Sequence, residues 1–355
     1  MTSDSLPTLR WGIIGTGLIA SWFVGDIQRS RQDAKANHIV QAIGASTLSK
    51  AQAFAEKHCA GKSPAVYGSY AEVYADPNID IIYIATPHVF HKQNALDAME
   101  AGKAVLCEKP MTINAKDAQV LIDKAKQKGV FLMEAVWTRF LPLVLKLESL
   151  VHKEKIIGDV SRVFVDFGLD MNLPSLPADS RLKNLSLGAG SLLDIGMYTL
   201  MFGKLMLDSG LGKNSMEPKV ASTQSLVDGV DYMSSVILQY TLTGTQAILT
   251  SSVYYKTDPE FMRIEGSLGT ITVSGVATSA PRKIKISYKD KEREDQLLEF
   301  PVEGFGFFFE ADAVALDIAS GKVEDDRMPH EETLFILRLM DSIRAAGGVV
   351  YPQDS

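Results

Sequence analysis

The sequence predicts an α/β protein: an N-terminal domain on a parallel sheet, then a C-terminal α/β domain built on a large open, mostly antiparallel sheet. Three observations carry this. Short apolar runs alternate with helical patterns through the first 150 residues, which is the mark of βαβ units. A glycine-rich turn joins the first of these runs to the first helix. After about residue 155 the chain changes to alternating strands separated by Gly, Asp and Lys turns, the pattern of an antiparallel sheet with one buried face.

Taken in order, residues 10–14 read as a strand, followed by the glycine turn and a helix toward Gln28. Residues 38–45 form a second β-rich run, and 49–57 a helix opened by a serine cap. The turn Asp76-Pro77-Asn78 introduces a buried strand over 79–84, and a helix over 91–100 stops at Gly102. A strand over 104–107, a helix over 114–128 capped by Asn114 and stopped by Gly129, and a strand over 130–133 complete the first domain. The boundary is placed at 1–137 and 138–355, and the C-terminal helix is allowed to pack back on the first domain. Strands follow at 160–167, 232–240, 246–254, 261–264, 270–273 and 283–288, and helices at 307–318 and 331–346. Residues 172–190 read as a long loop, and long loops in compact domains tend to be functional.

The 355 residues suit two domains at about 150 residues each. A hydrophobic content of 46% with 22% charged residues is that of a packed globular chain, which excludes a disordered or fibrous protein. The net charge of −7 argues against a nucleic-acid partner, whose phosphates need a basic surface. Two cysteines, Cys59 and Cys107, are too few for a disulfide framework and read as reduced thiols. Residues 1–8 lack the basic start and apolar run of a signal peptide, and no apolar stretch reads as long enough to span a bilayer. The expectation is a cytoplasmic protein with no membrane partner.

Gly15-Thr16-Gly17-Leu18-Ile19-Ala20 fits G-x-G-x-x-A between a strand and a helix, the context in which this pattern binds a dinucleotide. Gly15 permits the tight turn, Gly17 lets backbone approach a pyrophosphate, and Ala20 allows close helix–strand packing. The helix N-terminus offers unpaired N–H groups to the anion. The second strand ends in Gly44-Ala45-Ser46-Thr47-Leu48-Ser49-Lys50, without the carboxylate that would bond the ribose 2′-hydroxyl of NAD. Ser46, Thr47 and Lys50 suit a 2′-phosphate instead, so NADP is expected rather than NAD. The alternative is that these residues only cap the next helix.

Lys109, in Cys107-Glu108-Lys109-Pro110, follows a parallel strand and should point at a ligand beyond the strand's carboxyl end. Its plain alternative is a surface lysine paired with Glu108. Asp194 and Tyr198, four apart near the start of a helix, share one face. Capping and packing are their ordinary alternatives. Trp137, Arg139 and Phe140 join strand to helix and could line a nicotinamide pocket or simply pack a domain junction. His88 and His91 have no convincing metal spacing, so no metal is expected. The aromatic run from Phe305 to Phe309 reads as core.

These motifs together resemble the Gfo/Idh/MocA oxidoreductases, over nearly the whole chain. LCEKP, FLMEAVWTRF over 131–140, LLDIGMY over 192–198 and YGSY over 67–70 are similar to the branch of dimeric dihydrodiol dehydrogenases and fungal NADP-dependent D-xylose 1-dehydrogenases. The resemblance implies a Rossmann domain, a cis bond before Pro110, and a homodimer through the C-terminal sheet. It carries the catalytic Lys onto Lys109 and the catalytic Tyr onto Tyr198. Asp194, Trp137, Arg139 and Phe140 become substrate-binding residues. The cofactor set is Gly15, Thr16, Gly17, Leu18, Ile19, Ser46, Thr47, Lys50, Thr86, Pro87, His91, Glu108 and Lys109. Two departures stand out: Ala189-Gly190 where the branch often has Gly-Gly, and Ser46 where dihydrodiol dehydrogenases have an Arg-like residue.

The expected activity is NADP-dependent oxidation of the C1 hydroxyl of a cyclic aldose such as D-xylose to a lactone. Tyr198 would take the hydroxyl proton. A free tyrosine has a pKa of about 10, and positive charge from Lys109 and the nicotinamide would lower it. Oxidation of trans-dihydrodiols is the alternative within enzymes, and a non-catalytic dinucleotide sensor is the alternative of another class.

Overall fold

In the computed structural model, residues 6–355 are described; Met1–Ser5, within the residues 1–8 considered above, lie outside them. The chain forms two compact units.

The first unit carries β1 (Thr8–Ile14), α1 (Leu18–Ile27), β2 (Asn37–Gly44), α2 (Leu48–His58), β3 (Ala65–Tyr67), α3 (Tyr70–Ala75), β4 (Ile81–Ile84), α4 (His91–Glu100), β5 (Ala104–Glu108), α5 (Ala115–Lys128) and β6 (Leu132–Ala135). Its six parallel strands run in the order β3-β2-β1-β4-β5-β6. That is the doubly wound dinucleotide-binding order, whose ligand crevice opens where the order reverses, between β1 and β4. β4, β5 and β6 are buried along their whole length, as strands covered on both faces must be.

Some local expectations are corrected. The cap of α2 is Thr47, whose hydroxyl accepts the Lys50 N–H, and not a serine. The sixth strand begins at Leu132 and not Val130, because Val130 still closes α5: its N–H reaches back to the Ala125 carbonyl around left-handed Gly129. β3 and α3 had no separate signal in sequence, being three and six residues long.

The second unit begins with α6 (Pro142–Glu148) and β7 (Val160–Gly168), then α7 (Met197–Leu207). It continues through β8 (Lys219–Val227), β9 (Val230–Tyr240), β10 (Thr245–Ser252), β11 (Glu260–Gly266), β12 (Gly269–Ala277), β13 (Ala280–Tyr288) and β14 (Gln296–Glu299). The eight strands run β14-β13-β12-β11-β7-β10-β9-β8, antiparallel throughout except for the parallel pair β7 and β10. The edge strands β8 and β14 escaped the sequence reading because neither buries a full apolar face. The long loop is punctuated by short turns at Leu173–Ser175 and Leu185–Leu187. Contrary to expectation, one stretch, Leu185–Leu207, is long and apolar enough by length and composition to cross a membrane. Its most apolar part is mostly buried, and its helix α7 packs on β7 and β10 as a core element.

α8 (Phe307–Ala319) returns to the first unit, within the segment Glu303–His330, and α9 (His330–Gly347) belongs to the second from Glu331 on. A single cut near residue 137 therefore leaves out the returning segment. The reason is local: the buried Asp26 carboxylate at the end of α1 accepts the N–H groups of Phe305, Gly306 and Phe307 at 2.9, 2.6 and 3.1 Å, capping α8 from another helix. The Leu132 N–H then donates to the Val323 carbonyl and the His330 ring bonds the Leu132 carbonyl, tying the segment to β6.

Candidate active site

In the first unit the glycine turn sits at the switch point. Gly15 has φ +91°, donates its N–H to the Gly44 carbonyl at 3.2 Å, and lies so close to the exit of β4 that an added Cβ would be 2.6 Å from the Ala85 carbonyl oxygen. Gly17 differs: a Cβ there meets nothing within 4 Å. Gly17 is also the N-cap of α1 and offers no side-chain cap, and the first turn holds no acidic residue. An uncapped ten-residue helix with open space before it fits a pyrophosphate. Thr16 and Ile19 are half-buried, and Leu18 is exposed beside them.

At the end of β2, Ser46, Thr47 and Lys50 are exposed together at the start of α2. The Lys50 ammonium donates to Ser46 Oγ at 3.2 Å. Thr47 does cap the helix, so capping and an anion-facing position coexist here.

Lys109 stands on a turn held from several sides. The Lys109–Pro110 bond is cis. The Lys109 N–H donates to Glu108 Oε2 at 3.3 Å, and the Met111 N–H to Glu134 Oε1 at 2.8 Å. His91 spans the Pro110 and Thr86 carbonyls, at 2.9 and 2.8 Å from its two ring nitrogens. Glu108 also accepts a short hydrogen bond from the Tyr83 hydroxyl. His91 and Glu108 were expected to touch cofactor, but the structure turns both inward: His91 is fully buried and Glu108 is 4% exposed. They brace the strand-end turns that present Thr86, Pro87 and Lys109. Trp137, Arg139 and Phe140 are likewise buried, with the Trp137 ring tilted against Phe307 at 4.6 Å between centroids.

Sequence reasoning missed the acidic core behind this turn. Burial pushes the Glu108 carboxyl up to about 7. Glu310 on α8 is fully buried, its carboxyl oxygens accept no hydrogen bond among the described residues, and burial beside Glu108, Asp325 and Glu134 raises it well above the usual carboxylate range. A burial-raised carboxyl keeps its proton in the folded state after the unfolded chain has shed it. Its stabilising contribution is complete below the unfolded value near 4.5 and is lost as pH rises, through about 7 for Glu108 and further for Glu310. Glu310→Gln removes one of these losses. Thermal melts from acid to alkaline pH should show the Tm of Glu310→Gln gaining on the parent as pH rises; a gap independent of pH would refute the buried-proton account.

In the second unit, Leu192–Gly196 forms a π-helical turn that leads into α7. Asp194 is on the π turn, half-buried, and Arg181 of the long loop approaches its Oδ2 at 3.8 Å. Tyr198, in the first turn of α7, is 4% exposed and meets the Phe167 ring edge-on at 5.7 Å. Gly190, just before the turn, has φ +144°, and a Cβ there would lie 2.3 Å from Asp231 Oδ1 and 2.7 Å from the Tyr351 hydroxyl. Glycine is therefore needed at 190, while the departure at Ala189 costs nothing visible, since its buried side chain is accommodated. Neither Arg181 nor Asp231 had a sequence signal: Arg181 approaches from the irregular loop that leads into the turn, and Asp231 from the distant strand β9. No group of three or more His, Cys, Asp or Glu residues among those described could hold a metal ion.

Comparison with known proteins agrees with this geometry. Residues 9–136 match the family model described as GFO_IDH_MocA, an oxidoreductase family with an NAD-binding Rossmann fold. The chain is 36% identical to a D-xylose 1-dehydrogenase (NADP(+)) of Hypocrea jecorina, covering 99% of this chain and 95% of the relative. It is 35% identical to a trans-1,2-dihydrobenzene-1,2-diol dehydrogenase of Sus scrofa, covering 98% and 99%. In fold it is similar to the aldose-aldose oxidoreductase of Caulobacter crescentus, with TM-score 0.80 and 22% identity over 96% of this chain and 98% of the other. A levoglucosan dehydrogenase complex with NADH and levoglucosan gives TM-score 0.81 at 19% identity, over 98% and 100%.

Proposed function

The chain belongs to the Gfo/Idh/MocA oxidoreductase family, and from that premise we propose that it oxidises the C1 hydroxyl of a cyclic aldose such as D-xylose to the lactone, with NADP as hydride acceptor. It is an NAD(P)-dependent oxidoreductase acting on CH–OH donors. The observation that carries the aldose reading is the full-length likeness to an NADP-dependent D-xylose 1-dehydrogenase; the motif residues Lys109, Asp194 and Tyr198 are in keeping with it.

The fit to a dinucleotide rests on the uncapped N-terminus of α1 and the open space before Gly17. Gly15, Thr16, Gly17, Leu18 and Ile19 would hold the pyrophosphate, with Thr86, Pro87 and Lys109 along the strand ends beyond it. Ser46, Thr47 and Lys50 would take the 2′-phosphate. When bound, the nicotinamide supplies the hydride-accepting chemistry. The remaining work falls to side chains. Tyr198 Oη takes the proton of the C1 hydroxyl. The family resemblance gives Lys109 the part of the catalytic lysine, a positive charge of the kind that favours an ionised hydroxyl. Asp194 accepts hydrogen bonds from sugar hydroxyls, and Trp137, Arg139 and Phe140 shape the nicotinamide side.

Two further parts of this reading concern the setting. The face of the second sheet away from α7 carries Ile237, Ile248 and Phe164 in register across β9, β10 and β7, with Arg162 and Arg263 over the Phe164 ring at 5.0 and 4.4 Å. Such an apolar row supports a homodimer through this sheet. The free, buried thiols of Cys59 and Cys107 support a cytoplasmic location.

The relatives that oxidise trans-dihydrodiols support a second reading with the same Lys and Tyr. One experiment separates them: reduced nicotinamide formed with D-xylose, D-glucose and a benzene dihydrodiol, using NADP and NAD. Higher kcat/KM for the pentose supports the aldose reading. Turnover of the diol alone replaces it, and NADP binding with no turnover returns the sensor. In the same assay Lys50→Ala should weaken NADP about tenfold, one charge-assisted phosphate contact of about 1.4 kcal/mol, and leave NAD unchanged. Equal losses for both cofactors would remove Lys50 from the 2′-phosphate seat.

A further inference from the structure

The turn that carries Asp194 begins without a cap of its own. The first N–H groups of a helix have no partner within it and ordinarily take one from the N-cap side chain. Here the N-cap, Ser191, makes no such bond. Its hydroxyl donates to Asp231 Oδ2 at 2.9 Å, and the Leu192 N–H donates to the same oxygen at 2.8 Å. Asp231 is on β9 and fully buried. The Ser234 hydroxyl, 3.0 Å away, is the third donor to that oxygen, and Gln224 of β8 donates to Ser234 Oγ at 3.1 Å. The other carboxylate oxygen, Oδ1, accepts no hydrogen bond among the described residues and faces Gly190. The chain before the turn is held too: the Tyr351 hydroxyl donates to the Ala189 carbonyl at 2.6 Å.

A buried carboxylate is costly to keep unless its bonds repay the lost water. Three donors on one oxygen, two of them from the first residues of the turn, make Asp231 a cap delivered from the sheet. The turn's place is thereby tied to β9 as well as to the long loop that precedes it.

We propose that Asp231 is a positioning residue for the oxidoreductase reaction, holding Ser191 and Leu192 so that the turn presents Asp194 and Tyr198 in one fixed orientation. This rests on the roles given to Asp194 and Tyr198 above. Asp231 is fully buried and bonded to Ser191 and Leu192, so its action is through the turn.

The test uses the full chain as parent, Asp231→Asn, Asp231→Ala and Tyr198→Phe. Two readouts are taken: steady-state kinetics with an aldose, alongside NADP affinity, and amide hydrogen exchange over 189–198. Asp231→Ala should lower kcat/KM for the aldose about 100-fold, the scale of an ångström-sized misplacement, through both kcat and KM. NADP affinity should stay at the parental value, and exchange should quicken over 189–198 and not in the first unit. Asp231→Asn should fall between, since its amide oxygen still accepts the Leu192 N–H; it also carries the test should Asp231→Ala fail to fold. Parental kinetics and parental exchange in a folded Asp231→Ala would overturn the proposal. So would a fall in kcat with unchanged aldose KM and faster exchange everywhere, which is general destabilisation. If the parent turns over neither aldose nor diol, the functional reading fails on the parent alone, and exchange over 189–198 still decides for or against Asp231 as the anchor of the turn.

Discussion

Tyr198→Phe is expected to lower kcat for aldose oxidation by about 10²- to 10⁴-fold, the range that a positioned general base supplies. The substitution removes one oxygen and keeps the ring. Tyr198 is nearly buried and packs edge-on against Phe167, so phenylalanine retains that contact and the fold should persist. NADP affinity should be unchanged, because the residues proposed to hold the cofactor lie in the other unit. The check is kcat and kcat/KM with the best substrate of the panel, beside a fluorescence titration with NADP. A variant within threefold of the parent would remove Tyr198 from proton transfer. A loss of NADP affinity in parallel would show instead that the substitution had disturbed the whole chain.

Gly15→Ala and Gly17→Ala should separate fold from binding. At Gly15 the added methyl meets backbone, the carbonyl oxygen and carbon of Ala85 at 2.6 and 2.8 Å, and the residue has φ +91°. The left-handed backbone alone costs about 1–2 kcal/mol, and a clash with a strand end cannot be relieved by turning a side chain. Gly15→Ala should therefore lower Tm by several degrees and abolish measurable NADP binding together. At Gly17 the methyl meets no protein atom and φ is −83°, so Tm should stay at the parental value. Only a ligand's approach would be obstructed, and NADP affinity should fall about 100-fold for a lost backbone–pyrophosphate contact of about 3 kcal/mol. Parental NADP affinity in Gly17→Ala would mean that the pyrophosphate does not approach there.

Much of this was legible because the relevant signals are local. The strand–glycine–helix passage from Trp11 to Ala20 states its own geometry: a fixed left-handed turn, a missing side chain, a helix start. The alternating second half likewise reads as strands, since period-two burial is written residue by residue. β8 and β14 were not legible because neither edge strand holds a fully buried residue, so no apolar run marks it in the sequence. At the candidate site, Lys109, Asp194 and Tyr198 could be named from their motifs, but the inward turn of Glu108 and His91 could not. Whether a carboxylate at a strand end faces a crevice or a tyrosine depends on what the neighbouring strand brings, and Tyr83 is on β4.

The amino-acid order was thus enough for the dinucleotide turn and the class of both sheets, because each depends on backbone preferences and spacings within a few residues; the candidate reactive groups were named from the resemblance of their motifs to a known family. The return of Glu303–His330 to the first unit, the unpaired Glu310 and the capping of the Asp194 turn by Asp231 depend on contacts between distant segments. No periodicity encodes them. They follow from which buried polar groups find partners once the chain has closed on itself, and that pairing exists only in three dimensions.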